Sequence, residues 1–187
     1  MTDTAPQHRS MLQPLLVVHN AVAAIEFYTR VFGAVEQWRL MHYHRVGHCV
    51  LRIGESEFAL LDEFPEAGIK APPADEPEDA ARGRGPRLMV QVEDVDAVLR
   101  RAAANGGTHL RQAEDQWWGV RSGGFRDPFG HRWSVYSVVE PISIEEMQRR
   151  ADELDLYPPP PSTPDARQEY QVSYMNTPHH PEGVRSV

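Results

Sequence analysis

The chain has one cysteine, Cys49. No internal disulfide can form, so the fold must rest on its core and suits a reducing cytoplasm. No apolar run is long enough to span a bilayer. The first residues, MTDTAPQHRSM, contain no hydrophobic signal core. Membrane insertion and export by that route are not expected, and a cytoplasmic location is. Positive charge is also scarce: 19 Lys and Arg stand against 27 Asp and Glu, for a net charge of −8. With no basic stripe, a nucleic-acid partner is excluded, and the acidic balance favours a cationic guest if the chain binds a small molecule.

What is present is a repeat. Leu15 to Val18 is an apolar run, followed by His19-Asn20 and the helical pattern AVAAIEFYTRVFGA. Leu88 to Val92 is a similar run, followed by Glu93-Asp94 and VDAVLRRAAANGGT. Superposing them pairs Val18 with Val92, Asn20 with Asp94, Ile25 with Leu99 and Gly33 with Gly107. Asn and Asp are good N-caps, because their side-chain oxygens accept from free amides of the first helical turn. Glycine at both helix ends suits a left-handed cap. Matching punctuation at both ends argues for a duplicated module.

Each copy reads βαβββ. The first has strands at Gln13–His19, Val35–Tyr43, His48–Ile53 and Glu57–Leu61, with a helix through about Phe32. The second has a strand from Arg87, a helix over Val95–Ala104, and strands at Thr108–Gln112, Gly119–Phe125 and Arg132–Val138. The last two strands flank a turn at Asp127-Pro128-Phe129-Gly130. The fold class is therefore α+β, with residues 1–11 a loose arm and one domain over 12–140. Within it, module one covers 12–63, a Pro- and acid-rich connector 64–86, and module two 87–140. A helix over 141–156 opens on the capping box Ser143-Ile-Glu-Glu. The proline-rich stretch 157–187 is expected to be extended unless it docks.

The paired modules, the AAIEFYTRVFGA helix and the DPFGHRWSV hairpin resemble the vicinal oxygen chelate superfamily, in its glyoxalase and bleomycin-resistance branches, and most of all the PhnB-like proteins. The resemblance spans about residues 11 to 150. It implies that the two modules build a cupped mixed sheet, often completed across a homodimer, with ligands or metals in the cup. It does not fix a reaction, because this superfamily hosts several chemistries and some members only bind.

Metalloenzymes of the superfamily take two ligands from each module, one at the start of the first strand and one on the last. The first position falls on Gln13, and its partner on Arg87, or on Leu88 if the register slips by one. The last-strand position of module two falls on Ser134. That of module one lies somewhere in Phe58–Leu61, all apolar, with Asp62 the nearest carboxylate. Arginine is permanently cationic and has no lone pair for a metal. The set cannot hold a divalent ion tightly, so no metal and no cofactor are expected.

Other residues have two readings each. Trp117 and Trp118 are the leading contacts for a flat ligand, and they explain equally well as core or interface. As neighbours on a strand they would face opposite sides. Arg121 could add a cation at the same mouth, with Trp38, Arg39 and Tyr43 on the other wall. His42 and His44 form a possible ligand pair on a strand face, against the plainer reading of hairpin histidines. Cys49 lies in an apolar strand and reads as core, and His131 as structural or surface. Two functions follow. The first is a binding protein that sequesters a hydrophobic or aromatic small molecule, with Trp117, Trp118, Arg121, Gln13, Arg39, Tyr43, Asp62 and Ser134 as contacts. The second is a metal-dependent lyase, isomerase or dioxygenase using His42, His44 or Asp62. A third use of the chain, as an interaction module with its tail around a partner, is weaker.

Overall fold

The computed structural model describes residues 12–73 and 86–154. The loose arm, most of the connector and the proline-rich tail lie outside them. Module one comprises β1 (Leu15–Val18), α1 (Ala21–Phe32), β2 (Val35–His42), β3 (Arg45–Ile53) and β4 (Ser56–Asp62). Module two comprises β5 (Arg87–Gln91), α2 (Val95–Ala104), β6 (Thr108–Asp115), β7 (Val120–Arg126) and β8 (Arg132–Val138). Each builds its own four-stranded mixed sheet, in the orders β1-β4-β3-β2 and β5-β8-β7-β6. In each sheet the first strand runs parallel to the last, and the remaining pairs are antiparallel. The α+β class and the duplication are as the sequence predicts.

The caps show why the helices start where they do. Asn20 Oδ1 accepts from the Ala23 amide at 3.0 Å, and Asp94 Oδ1 from the Ala97 amide at 2.8 Å. The C-terminal ends match less closely. Gly33 takes the left-handed conformation, φ 68°, but in module two it is Gly106, φ 92°, that does so rather than Gly107. The second helix ends at Ala104 and is capped by Asn105, which is not left-handed, so the left-handed residue follows it at Gly106.

Both helices pack into one core. Tyr28 on α1 makes edge-to-face contact with Phe58 of β4, at 5.3 Å between ring centres, and lies 5.3 Å from Trp133 of β8. Phe58 and Trp133 are themselves 5.8 Å apart. These residues occupy the helix-bearing faces of the two sheets, so the sheets meet through those faces. Their helix-free faces are therefore turned away from each other within one chain. Among the described residues, three polar ties join the modules, one of them from Arg101 Nε of α2, which donates to the Val31 carbonyl of α1 at 2.9 Å. Tyr28 Oη donates to Asp127 Oδ2 at 2.7 Å, and His131 Nε2 lies 2.9 Å from the Val17 carbonyl.

Beyond this unit lies α3 (Ile144–Leu154). Ser143 Oγ accepts from the Glu146 amide at 3.2 Å, which is half of the expected capping box. The reciprocal bond is lost because the Glu146 carboxylate holds Arg149 and Arg150 instead. Among the described residues, no helix is long and apolar enough to cross a membrane.

Candidate functional site

Register partners share a face, and alternation assigns the residues between them except at the irregularities of β2 and β6. On sheet one, Leu15 pairs with Ala59 and Ala59 with Val50, opposite to the core-facing Leu16, Leu60 and Cys49. The helix-free face of sheet one therefore carries Leu15, Val17, Ala59, Leu61, Val50 and Trp38. Trp38 stacks on His48 there, 5.0 Å between ring centres and 20° apart. This face is mainly apolar. Gln13 continues it: the Pro14 carbonyl still accepts from Ala59, so strand pairing reaches this far. Gln13 Nε2 is buried and has no hydrogen-bond partner among the described residues.

On sheet two, Met89 pairs with Ser134 and Ser134 with Gly124, opposite to Trp133 and Phe125 in the core. Leu88 packs toward the core, so Arg87, not Leu88, lies on the helix-free face. The same register resolves module one. The repeat maps Leu15 onto Met89, their partners are Ala59 and Ser134, and the fourth family position is therefore Ala59.

The fit to a metal can now be judged from the donors. Gln13, Ala59, Arg87 and Ser134 offer one amide, one methyl, one cation and one hydroxyl. Such a set does not suit a divalent ion. Gln13 and Ala59 lie on a face turned away from that of Arg87 and Ser134. Among the described residues, no three His, Cys, Asp or Glu side chains come together to hold a metal.

The other sequence candidates scatter. Arg121 pairs with Ser137 on the helix-bearing side of β7. Its guanidinium clasps Asp96 of α2 at 2.7 and 3.0 Å and Asp115 at 2.9 Å, and these carboxylates raise its pKa above the ordinary value. It fastens helix to sheet and does not line a ligand mouth. Arg39 likewise pairs with Cys49, on the helix side, and forks onto Glu36 at 2.9 and 2.6 Å. Trp117 and Trp118 lie in the turn between β6 and β7 rather than on a strand, so their rings do not face opposite sides. They pack edge-to-face on each other, 5.1 Å apart. Tyr43 sits at the tip of the β2–β3 hairpin, 89% exposed, with φ 54°. The same hairpin separates His42 from His44: β2 ends at His42, and the turn takes the next residues.

Asp62 is buried, and both its oxygens are in use. Oδ1 accepts from the Ala21 amide at 2.7 Å and Oδ2 from the Val46 amide at 2.6 Å. This carboxylate ties the start of α1 to β3. Cys49 is fully buried, and burial pushes its thiol up to about 12. A raised thiol pKa favours the folded state below the unfolded value. That contribution fades as pH climbs from about 8.5 toward 12. Native protein at pH 8 should therefore leave Cys49 unlabelled by a thiol reagent, while denatured protein reacts with one equivalent. Rapid native labelling would contradict the core assignment.

Arg87 reads in the sequence only as a position unfit for a metal, and Arg126 and Arg132 escape notice there. Arg87 pairs with Arg132, and Arg132 with Arg126, so three guanidinium-bearing residues stand abreast on the helix-free face of sheet two. Arg126 and Arg132 sit symmetrically about the 127–131 turn, a spacing that could have shown them to be cross-strand neighbours.

The Glyoxalase/Bleomycin resistance protein/Dioxygenase superfamily profile matches residues 10–135. The chain is 36% identical over 140 residues to an uncharacterized protein, Mb0911c, of Mycobacterium bovis, spanning 73% of this chain and 89% of that one. An uncharacterized protein of Mycobacterium tuberculosis strain H37Rv, Rv0887c, matches at the same identity over 79% of its length and 73% of this chain. Among solved structures, TioX from Micromonospora sp. ML1 superposes with a TM-score of 0.51 at 23% identity, covering 72% of this chain and all of TioX. A glyoxalase-related enzyme from Fulvimarina pelagi gives 0.52 at 21% identity, over 73% of this chain and 94% of its own. The PhnB protein from Bacillus cereus gives 0.50 at 17% identity, over 69% and 100%. These likenesses show a shared fold.

Proposed function

Because the chain belongs to the glyoxalase/bleomycin resistance protein/dioxygenase superfamily, we propose that it is a cytoplasmic small-molecule binding protein that grips an apolar or aromatic guest without a metal. The observation that carries this is the donor set at Gln13, Ala59, Arg87 and Ser134, which leaves shape and apolar contact as the main means of grip. A homodimer supplies the cup. One chain turns its two helix-free faces apart, so module one of one copy must meet module two of another to enclose a guest. Leu15 and Met89, which correspond in the repeat, are 53% and 69% exposed on those faces. Apolar side chains of this size gain about 1.5–3 kcal/mol each when buried.

The experiment is paired. Sizing with light scattering should give twice the chain mass, and Met89→Glu should give a folded monomer. A thermal-shift screen of planar aromatic compounds should then raise the melting temperature of the dimer by several degrees for some members, and not that of the variant. A monomeric wild type, or a guest that stabilises dimer and monomer alike, would overturn the proposal. The metal-dependent alternative gains no support from the geometry, since Asp62 has both oxygens on backbone amides and the two histidines flank a turn.

A further inference from the structure

We propose that the helix-free face of sheet two recognises an oxyanion, a carboxylate or a phosphoryl-type group, on the guest; this rests on the binding function proposed above and adds the chemical class. The face is built for it. Its floor is Ser134 and Gly124, which are register partners, with Ser122 one step along β7. Among the described residues, a Cβ at Gly124 would meet only the Trp133 carbonyl within 4 Å, at 3.2 Å.

Cationic side chains border this floor. Arg87, Arg132 and Arg126 form the row at one end, on adjacent strands about 4.8 Å apart. Arg111, the partner of Gly124 across β6 and β7, reaches along the other side and donates from Nη2 to Ser122 Oγ at 3.0 Å. Neither Arg87 nor Arg111 forms an ion pair with a described residue. The carboxylate that the register puts on the same face is Glu114, opposite Ser122 at the outer strand.

Like charges placed directly across a sheet repel one another. Within a chain of net charge −8, Arg87 and Arg111, which form no ion pair with a described residue, are the cations that give this face the opposite sign. Guanidinium groups present forked donors that match carboxylate and phosphoryl oxygens, and such charge-assisted bonds are the strong ones. The net charge had suggested a cationic guest, but the charges on the face itself favour the opposite sign. With the apolar face of sheet one supplied by the partner copy, the fitting ligand has an apolar body and an anionic end.

Four probes of one size test this on the full-length protein by calorimetry: benzoate, phenylphosphonate, benzamide and benzylamine. Benzoate or phenylphosphonate should bind at least about tenfold more tightly than benzamide, and benzylamine should bind least. Preference between the two anions tells carboxylate from phosphoryl recognition. Arg87→Gln and Arg111→Gln should each weaken the anion about tenfold and leave benzamide unchanged, with circular dichroism and dimer mass intact. Equal binding of anion and amide, or anion binding indifferent to both substitutions, would overturn the oxyanion site while leaving the apolar cup standing. No binding of any probe would count against both.

Discussion

Replacing Asp127 with alanine is expected to cost the protein about 4 kcal/mol or more, and to lower its melting temperature by roughly 10 °C. Four donors converge on this buried carboxylate. Tyr28 Oη and Trp133 Nε1 donate to Oδ2 at 2.7 and 2.8 Å; the amides of Phe129 and His131 donate to Oδ1 at 3.0 and 2.9 Å. Alanine would leave all of them without an acceptor in the interior, where each orphaned donor costs about 1–3 kcal/mol. The loss also cuts a tie between modules, because Tyr28 belongs to α1 and Asp127 to the β7–β8 turn. Burial first, and then the Asp127 charge, hold the Tyr28 phenol well above its ordinary pKa, so it remains a donor at all working pH values. Tyr28→Phe should cost less, since three donors still satisfy the carboxylate. Chemical denaturation of the two variants and their combination gives the coupling directly. A loss below about 1 kcal/mol for Asp127→Ala would mean that water replaces the carboxylate and that this turn is not the joint described.

Asp62→Ala is expected to cost about 3 kcal/mol. It orphans two buried amides, those of Ala21 and Val46. Ala21 is the first residue of α1, where a carboxylate also meets the positive end of the helix dipole. Asp62→Asn keeps one acceptor and should lose about half as much. The denaturation midpoint should fall with an unchanged slope. If instead Asp62→Ala left stability intact and abolished binding of an aromatic guest, the carboxylate would belong to a ligand site after all.

These two aspartates show what local sequence conveys and what it does not. Asp127 in Asp-Pro-Phe-Gly announces a turn, and its bonds to Phe129 and His131 are the local ones such a residue makes. Its bond to Tyr28, 99 residues away, depends on the packing of one module on the other, and no spacing in the chain reveals it; Trp133 lies six residues on, within the same hairpin. Asp62 was visible only as the carboxylate nearest an apolar strand. Its two amide partners lie 41 and 16 residues away. The helix starts were legible because Asn20 and Asp94 act within three residues of themselves. The repeat was legible because both copies keep that punctuation.

Face assignment was the harder matter. Arg121 sits on a strand among small residues, and only the pairing of β7 with β8 puts it on the helix side, with Asp96. Trp117 and Trp118 were placed on opposite sides by strand alternation, but the Gln116–Gly119 turn, closed by the Gly119 amide on the Gln116 carbonyl at 3.0 Å, removes them from the strand. Conversely, Arg87 was weighed only as a poor metal ligand. Its neighbours Arg132 and Arg126 became visible once the parallel β5–β8 register was known.

The central claim, that the family's metal positions in this chain cannot chelate, is tested most directly by metal stoichiometry. Protein purified without chelator, passed through gel filtration and analysed by inductively coupled plasma mass spectrometry should carry far less than one equivalent of manganese, iron, cobalt, nickel or zinc per chain. One tightly retained ion per chain, lost together with guest binding when Gln13 or Ser134 is replaced by alanine, would contradict it.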